Sequence, residues 1–584
     1  MCTSTLGRRV RETAVALGIA AVTCLAGTGL APAAPAAALP TAPAFAPALA
    51  PGGQQAVDFH GYHTTVPTGW PVVDLARQPT ACVRYDRPAV YLGHPGAQQN
   101  CPAHLVGRTD TLLIEPLDRV AAARVDGSTA TAAPGRATPA GTPVSRDGQI
   151  TVAVPDAGVL VTATHGENQT TVRGILGRAV LTGGGTPATV PPRSRSASTL
   201  SVSIQPGAYK GRGFDACTAP SSSQMQAWLS SPYRAIGVYI GGVSRACSQP
   251  NLTATWVSAQ VSAGWHLISI HVGLQAPCTG FSNRVSTDPT TAASQGRSAA
   301  SDAVSKAQAL GIPPGSVLYN DMEGYDNTNT TCRTAVLSFL SGWTQRLHEQ
   351  FYASGVYSSI SSGIRDLASV YSSTTRARPD NIWFAWWNGL ADTGGGSYIS
   401  SRYWVNHERL HQYRGGHNET WGGVTINIDN DYLDVAPPVN RDFSTYPTVR
   451  SGSAGGAVAA VQYLLNEEGY GPIAVDGQFG SQTQSAAVAF QTAKGLTADG
   501  VVGQRTWTAL LSAGYRPVLR LGSTGLDVRR LQRALTAALG RTVTIDGTFG
   551  SLTDQAVRDY QSSRGLAVDG TVGNATWSAL QSGR

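Results

Sequence analysis

Leu310-Gly-Ile-Pro-Pro-Gly-Ser-Val-Leu-Tyr-Asn-Asp-Met-Glu323 reads as the end of a helix, a break, and a strand with two acidic residues at its tip. Gly311, Pro313 and Pro314 stop the helix, because glycine accepts a left-handed cap and proline cannot continue the hydrogen-bond ladder. The run 317–323 is apolar until Asp321 and Glu323, which stand at i and i+2 and so project from one face of a strand. Outward from this segment, further strands are expected at 213–216, 235–240, 267–272, 355–358, 382–387, 410–413 and 424–433. Helices are expected at 222–229, 253–263, 291–310, 331–350 and 362–370. Eight strands with intervening helices over 205–435 predict a (β/α)8 barrel. A doubly wound open sheet is the alternative, although the usual Gly-rich phosphate turn is missing.

Such a barrel builds its site from the C-terminal ends of its strands. Asp215 ends the first strand, Asp321 and Glu323 the fourth, and Asp429 and Asp431 lie near the end of the eighth. Carboxyl groups crowded into one mouth repel one another and push at least one pKa up, the state that a proton donor to a glycosidic oxygen needs. The alternative for these residues is a strand-end network paired with nearby arginines. Sugar binding also calls for aromatic platforms. Trp383, Trp386 and Trp387 crowd the sixth strand, and Tyr413 ends the seventh. Strand alternation turns Trp383 and Trp387 away from the face of Trp386, so Trp386 is the candidate for stacking on a sugar. The histidines of this region, His266, His271, His407, His411 and His417, do not read as a metal site. His407-Glu408-x-x-His411 copies only the reverse half of a zinc-protease helix and sits beside an expected strand. No metal and no cofactor are expected.

The C-terminal part is a duplication. Residues 450–510 and 520–580 superpose at an offset of 70 without a gap. Arg450-x-Gly452-Ser453 recurs as Arg520-x-Gly522-Ser523, Asp476-Gly477-x-Phe479-Gly480 as Asp546-Gly547-x-Phe549-Gly550, and Thr506-Trp507 as Thr576-Trp577. Each copy carries three helical patterns, so Phe490 and Trp507 read as core and the Asp-Gly pairs as turns. The domains implied are 449–512 and 517–584, with Pro- and Gly-rich linkers at 183–204 and 436–448. The stretch 55–182 alternates Val, Thr and Tyr and predicts a small β-rich accessory domain.

The chain has 584 residues, a formal charge of +7 from 43 basic and 36 acidic residues, and only 14% charged residues. The basic residues form no block, which argues against a dedicated nucleic-acid binder. Residues 1–40 read as an export signal: Arg8, Arg9 and Arg11, an apolar stretch from Val15 to Leu30, then small residues at Ala36, Ala37 and Ala38. An uncut membrane anchor is the alternative for this stretch. Beyond it nothing is long and apolar enough to span a bilayer. Cys82, Cys101, Cys217, Cys247, Cys278 and Cys332 then remain, an even number that suits disulfides outside the cell. Cys82 and Cys101 are expected to pair. The other four allow three pairings, Cys217–Cys247 with Cys278–Cys332 among them.

Two resemblances follow from these residues. The G-x-x-V-x-x-L-Q segment (with Val461 at the Leu position in the first copy) and the D-G-x-F-G and D-G-x-V-G-x-x-T-W segments of both C-terminal copies resemble the three-helix peptidoglycan-binding domain of secreted cell-wall hydrolases. The segments Gly213-Phe214-Asp215, Tyr239-Ile240-Gly241-Gly242, Asp321-x-Glu323, Trp383-x-Ala385-x-Trp387, Gln412-Tyr413 and Asp429-x-Asp431 resemble the actinobacterial glycoside-hydrolase-like domain. That family is distantly similar to the family 25 muramidases. The resemblance implies that Glu323 is the general acid and that Asp321 orients the substrate's N-acetyl group for a substrate-assisted route. It implies sugar binding or tuning by Asp215 and Asp431. The first strand departs from the muramidase pattern, reading Gly-Phe-Asp-Ala-Cys in place of Asp-x-Ser. The expectation is a secreted, wall-associated, monomeric glycan hydrolase whose partner is peptidoglycan. A non-catalytic wall binder with a lectin-like barrel, or a hydrolase of another envelope polysaccharide, remains the alternative.

Overall fold

In the computed structural model the described residues are 53–190 apart from 123 and 126, then 202–437 and 439–584. The expected export segment, 1–40, lies outside them. Ala235–Gly241 is buried at every position, as a parallel strand covered on both faces must be. It is the second of eight strands that close into a barrel. These are β1 (Tyr209–Asp215), β2 (Ala235–Gly241), β3 (His266–His271) and β4 (Val317–Asp321). They continue with β5 (Ala353–Ser359), β6 (Asn381–Ala385), β7 (Glu408–Trp421) and β8 (Val424–Val435).

The closed sheet corrects the expected (β/α)8 barrel, and it is not a doubly wound open sheet either. Strands β1 to β7 are parallel neighbours in chain order, but β8 runs antiparallel to both β7 and β1. Helices follow only the first five strands: α1 (Ser222–Ala227), α2 (Ala254–Ser262), α3 (Pro289–Ala309), α4 (Thr330–Glu349) and α5 (Arg365–Ser369). After β6 the chain runs through 386–407 without a helix. The turn between β7 and β8 is Gly422-Gly423, with φ of 57° and 78°. Two left-handed residues make a tight hairpin turn, and such a turn can only return the chain antiparallel, because a parallel crossover needs a dozen or more residues.

Local signals start the helices where they are found. Ser221 and Gln224 form a reciprocal capping box on α1, and Thr253, Asp288 and Asn329 cap α2, α3 and α4 through their side-chain oxygens. Helices α3 and α4 touch backbone to backbone. A Cβ at Gly296 would meet the Phe339 carbonyl oxygen at 2.0 Å, and one at Gly342 the Ala293 oxygen at 2.1 Å. Inside the barrel Tyr239, Ile268, Ile270, Tyr319, Trp383, Leu410 and Leu433 fill the core, while separate apolar layers lie between strands and helices.

Residues 53–190 form a three-stranded sheet (Gln54–Phe59, Tyr62–Pro67, Val180–Leu181) and a six-stranded mixed sheet. At the centre of the latter, Val159–Thr164 is buried throughout. This unit is stitched to the barrel by bridges from Arg84 to Cys247 and from Val106 to Arg245. The disulfides are Cys82–Cys101, Cys217–Cys247 and Cys278–Cys332, and the first two pack together in one buried cluster.

The C-terminal repeats are two three-helix modules, α6 (Gly456–Glu467), α7 (Ser481–Ala493) and α8 (Gln504–Ser512), then α9 (Leu526–Leu539), α10 (Ser551–Ser563) and α11 (Asn574–Gln581). Trp507 and Trp577 are buried in a core that the two modules share. The repeated Asp-Gly pairs are structural turns held by buried glutamines. Gln462 Nε2 donates to Asp476 at 2.8 Å while its oxygen accepts the Gly477 N–H at 2.8 Å, and Gln532 does the same for Asp546 and Gly547. No helix among the described residues is long and apolar enough to cross a membrane.

Candidate active site

Strand β4 ends on Asp321, and Gln275 clamps that end from the neighbouring loop. Its amide nitrogen donates to the Asp321 carbonyl at 2.9 Å, and its oxygen accepts the Glu323 N–H at 2.9 Å. Met322 between them is fully buried in the layer behind the strand, which turns both carboxyl groups to the mouth. The antiparallel β8 brings its acids in from the opposite direction to the one expected, and register still delivers them. Asp429 pairs with Asp215 on β1, and Asp431 pairs with Gly213 on β1 and Gln412 on β7.

Neutral donors tie these carboxyl groups together. Gln412 Nε2 donates to Asp215 at 2.9 Å and to Asp429 at 3.4 Å, while its oxygen accepts from Tyr357 at 3.0 Å and Trp387 at 3.1 Å. Trp383 Nε1 donates to Asp431 at 2.9 Å. Asp321 is 1% exposed, and neither of its oxygens has a hydrogen-bond partner of good geometry. Trp386 stands apart from this network, packed against the Tyr398 and His411 rings at 5.9 and 6.2 Å. Its neighbour Trp387 is the exposed indole joined to the network. Tyr413 is buried beside His411.

The charge facing the carboxyl groups comes from outside the barrel. His104, on a loop of the N-terminal unit, accepts or donates at both ring nitrogens: Nδ1 lies 2.7 Å from the Tyr239 hydroxyl, and Nε2 is hydrogen-bonded to Glu323 Oε1. Nε2 is also 3.9 Å from Asp321. The Tyr239 proton is directed to Asp215 at 3.2 Å, so the Tyr239 oxygen accepts from His104 Nδ1–H. Nothing in the sequence reading pointed to His104. Only its separation of 219 residues from Glu323, bridged by the fold, brings the two together.

Burial opposes a charge on His104. The Glu323 charge and hydrogen bond outweigh it, with Asp321 and Asp429 behind, and hold the imidazole well above its ordinary value. Burial likewise pushes Glu323 up, but the imidazolium charge and hydrogen bond overcome it and leave this carboxyl below its ordinary range. Asp321 goes the other way, pushed well above the carboxylate range by burial and then by the Glu323 charge. Burial, followed by the Asp215 charge, also raises Asp429 and Asp431, and burial raises Asp215 against the opposing charge of His104. Four of the five carboxyl groups are thus pushed up by burial, while His104 holds Glu323 down.

His104, Asp321 and Glu323 place potential ligand atoms within 4.8 Å of one another, as do His104, Asp215 and Asp429. Both sets depend on the one imidazole, whose Nε2 is engaged by Glu323. The His407-Glu408-His411 segment disperses: His407 pairs with Asp434, Glu408 accepts from Tyr463, and His411 meets the carbonyls of Asp392 and Trp386.

The closed barrel with five carboxyl groups at one mouth and the two three-helix modules each coincide with a segment that matches a known domain family. Residues 226–433 match the Rv2525c-like, glycoside hydrolase-like domain, and residues 454–510 and 524–580 each match the putative peptidoglycan binding domain. Among curated proteins, N-acetylmuramoyl-L-alanine amidase CwlM of Mycobacterium tuberculosis is 39% identical over 109 residues, 18% of this chain and 27% of that one. N-acetylmuramoyl-L-alanine amidase CwlL of Bacillus licheniformis is 28% identical over 166 residues, 24% of this chain and 46% of that one. The chain thus spans less than half the length of either relative. A solved structure of an uncharacterized protein of B. stearothermophilus is 17% identical, covers 38% of this chain and 95% of that one, and has a TM-score of 0.26, too low to carry an argument.

Proposed function

We propose that the barrel hydrolyses glycosidic bonds of N-acetylated peptidoglycan strands outside the cell, in a muramidase-like reaction, while the tandem modules hold the protein on the wall. The observation that carries this reading is the Asp321–Glu323 pair at one strand end, Asp321 buried without a hydrogen-bond partner of good geometry and Glu323 hydrogen-bonded to His104, so that burial pushes the first carboxyl up and the imidazole holds the second down. An Asp321 oxygen lies within 4.8 Å of a Glu323 oxygen. Inverting glycosidases separate their carboxyl groups by roughly 6.5–9.5 Å to seat a water between them, so this pair favours the retaining class. In a substrate-assisted route the pair gives its proton to the leaving glycosidic oxygen as that C–O bond breaks. The sugar's own acetamido oxygen attacks the anomeric carbon to form an oxazolinium ion. Water then opens the ring, returning a proton to the pair and regenerating the acetamide.

The amidase names of the relatives favour a wall hydrolase, while the matched lengths of 109 and 166 residues are of the order of the two C-terminal modules together, whose matches run from 454 to 580. The test is reducing-end release from purified peptidoglycan by the full chain beside Glu323→Gln and Asp321→Asn. Release that falls by about 100-fold or more in each variant is expected for loss of a proton-transferring group. No release by the unaltered protein, with binding to intact wall retained, would leave the alternative of a wall-binding protein with a lectin-like barrel.

A further inference from the structure

The loop that carries His104 is built in rather than draped over the barrel. At its base the Cys82–Cys101 disulfide packs on Cys217–Cys247. The buried Gln98 oxygen accepts from the Val83 N–H and the Ser248 hydroxyl, each at 3.0 Å. On the far side Ala103 N–H donates to Asn427 of β8 at 2.7 Å, and Gly107 N–H donates to the Ser244 carbonyl at 2.8 Å. Arg108 Nε then reaches the Arg245 carbonyl at 2.8 Å. His104 is thus held from both sides of its loop, and the Tyr239 oxygen, whose own proton is directed to Asp215, accepts from its Nδ1–H.

We propose that His104, supplied by the N-terminal unit, is a positioning residue of the barrel site: its imidazolium fixes Glu323 as the anionic member of the pair and leaves the transferable proton on Asp321. Two observations carry this. Glu323 is the carboxyl group that meets the imidazole, and Asp321 is buried beside it, 3.9 Å from the ring, with no hydrogen-bond partner of good geometry for either oxygen, an arrangement that disfavours charge on Asp321. The assignment reverses the roles that the family resemblance implies for the two acids. It also gives the N-terminal unit a part in the chemistry, since the barrel alone lacks the cation. The groups facing His104 are Glu323 and Asp321 at the end of β4, Tyr239 of β2, Tyr357 of β5 with its ring 5.8 Å away, and Asp429 of β8, with Asp215 behind Tyr239. All but the tyrosines are carboxyl groups, and the Glu323 charge is the largest influence favouring the charged imidazole.

The catalytic consequence rests on the hydrolase reading, and the charge state does not. The experiment therefore uses two readouts on the full chain. In the first, histidine ring NMR identifies the His104 signal as the one lost in His104→Gln. It is expected to titrate well above the ordinary imidazole value and to fall by at least about one pH unit in Glu323→Gln. An ordinary midpoint that Glu323→Gln leaves in place would overturn the proposal. In the second, reducing-end release is followed against pH. With His104→Gln, burial at Glu323 loses its main opponent. The acidic limb should therefore move to higher pH, and kcat near neutrality should fall about tenfold or more with KM little changed. His104→Lys keeps the charge and should keep the limb near its original place. A gain of activity in His104→Gln would overturn the proposal by marking His104 as an obstruction. If the unaltered protein releases nothing, the hydrolase reading falls, and the NMR titration still decides the charge assignment.

Discussion

At the scale of single residues, the buried acids govern how the protein responds to pH. Glu408 on β7 lies where the barrel meets the first module, accepting a hydrogen bond from Tyr463 at 3.1 Å. Burial, and then the neighbouring Glu467 charge, push its carboxyl well above the ordinary range. The folded state keeps a proton there that the unfolded chain releases above about pH 4.3. Glu408 therefore costs stability increasingly as pH rises from that value toward its folded pKa. Glu408→Gln, which keeps the acceptor for Tyr463, should raise the Tm at pH 7 and leave it nearly unchanged at pH 4. Equal effects at both pH values would contradict this linkage. Asp321 and Glu323 were legible because two acids at i and i+2 on a strand tip share a face whatever the rest of the fold does. His104 was not legible, because its loop carries no local signal for the barrel mouth, and only long-range packing brings it there. Trp386 and Trp387 mark a subtler limit. Alternation holds only while the strand lasts, and β6 ends at Ala385, so the next two indoles no longer follow its two faces.

At the scale of elements, the last hairpin decides the barrel. The positions of the parallel strands were legible from their apolar runs and from the Gly and Pro stops between them. The sense of the eighth strand was legible too, in Gly422-Gly423, a two-residue turn signal between two strand patterns. A turn that short excludes the parallel crossover that the (β/α)8 expectation requires at this point. The turn also makes a graded prediction. A Cβ at Gly422 would lie 2.5 Å from the Ala227 carbonyl oxygen, whereas one at Gly423 meets nothing within 4 Å. Gly423→Ala should cost only the left-handed strain of about 1–2 kcal/mol. Gly422→Ala should cost more, because the carbonyl of Ala227 at the end of α1 must also give way. Thermal unfolding of the two variants checks the order, and equal losses would show that the contact with Ala227 yields freely.

At the scale of the whole molecule, the N-terminal unit and the modules both pack on the barrel, and the N-terminal unit reaches its acidic mouth. The N-terminal unit places a cation in the barrel mouth, and the barrel supplies the acids. The modules dock on the barrel through Arg378–Glu467 at 2.7 Å, the Asn406–Asn466 pair at 2.9 Å, and Gln345 with Tyr515 at 2.9 Å. Duplicated modules raise residence on a polymer by effective concentration, with no new contact required. The repeat itself was legible in full, because sequence identity at a fixed offset needs no knowledge of packing. The docking contacts and the exchange of His104 between units were not, since they join residues that no local pattern relates. The measurement that tests the account most directly is mass spectrometry of the products that the full chain releases from purified peptidoglycan. Sugar fragments with new reducing ends and with peptides still attached to the muramic acid lactyl groups are the expected result. Free peptides with uncut glycan strands would place the cut at the amide bond and contradict the assignment of Asp321 and Glu323 to glycosidic cleavage.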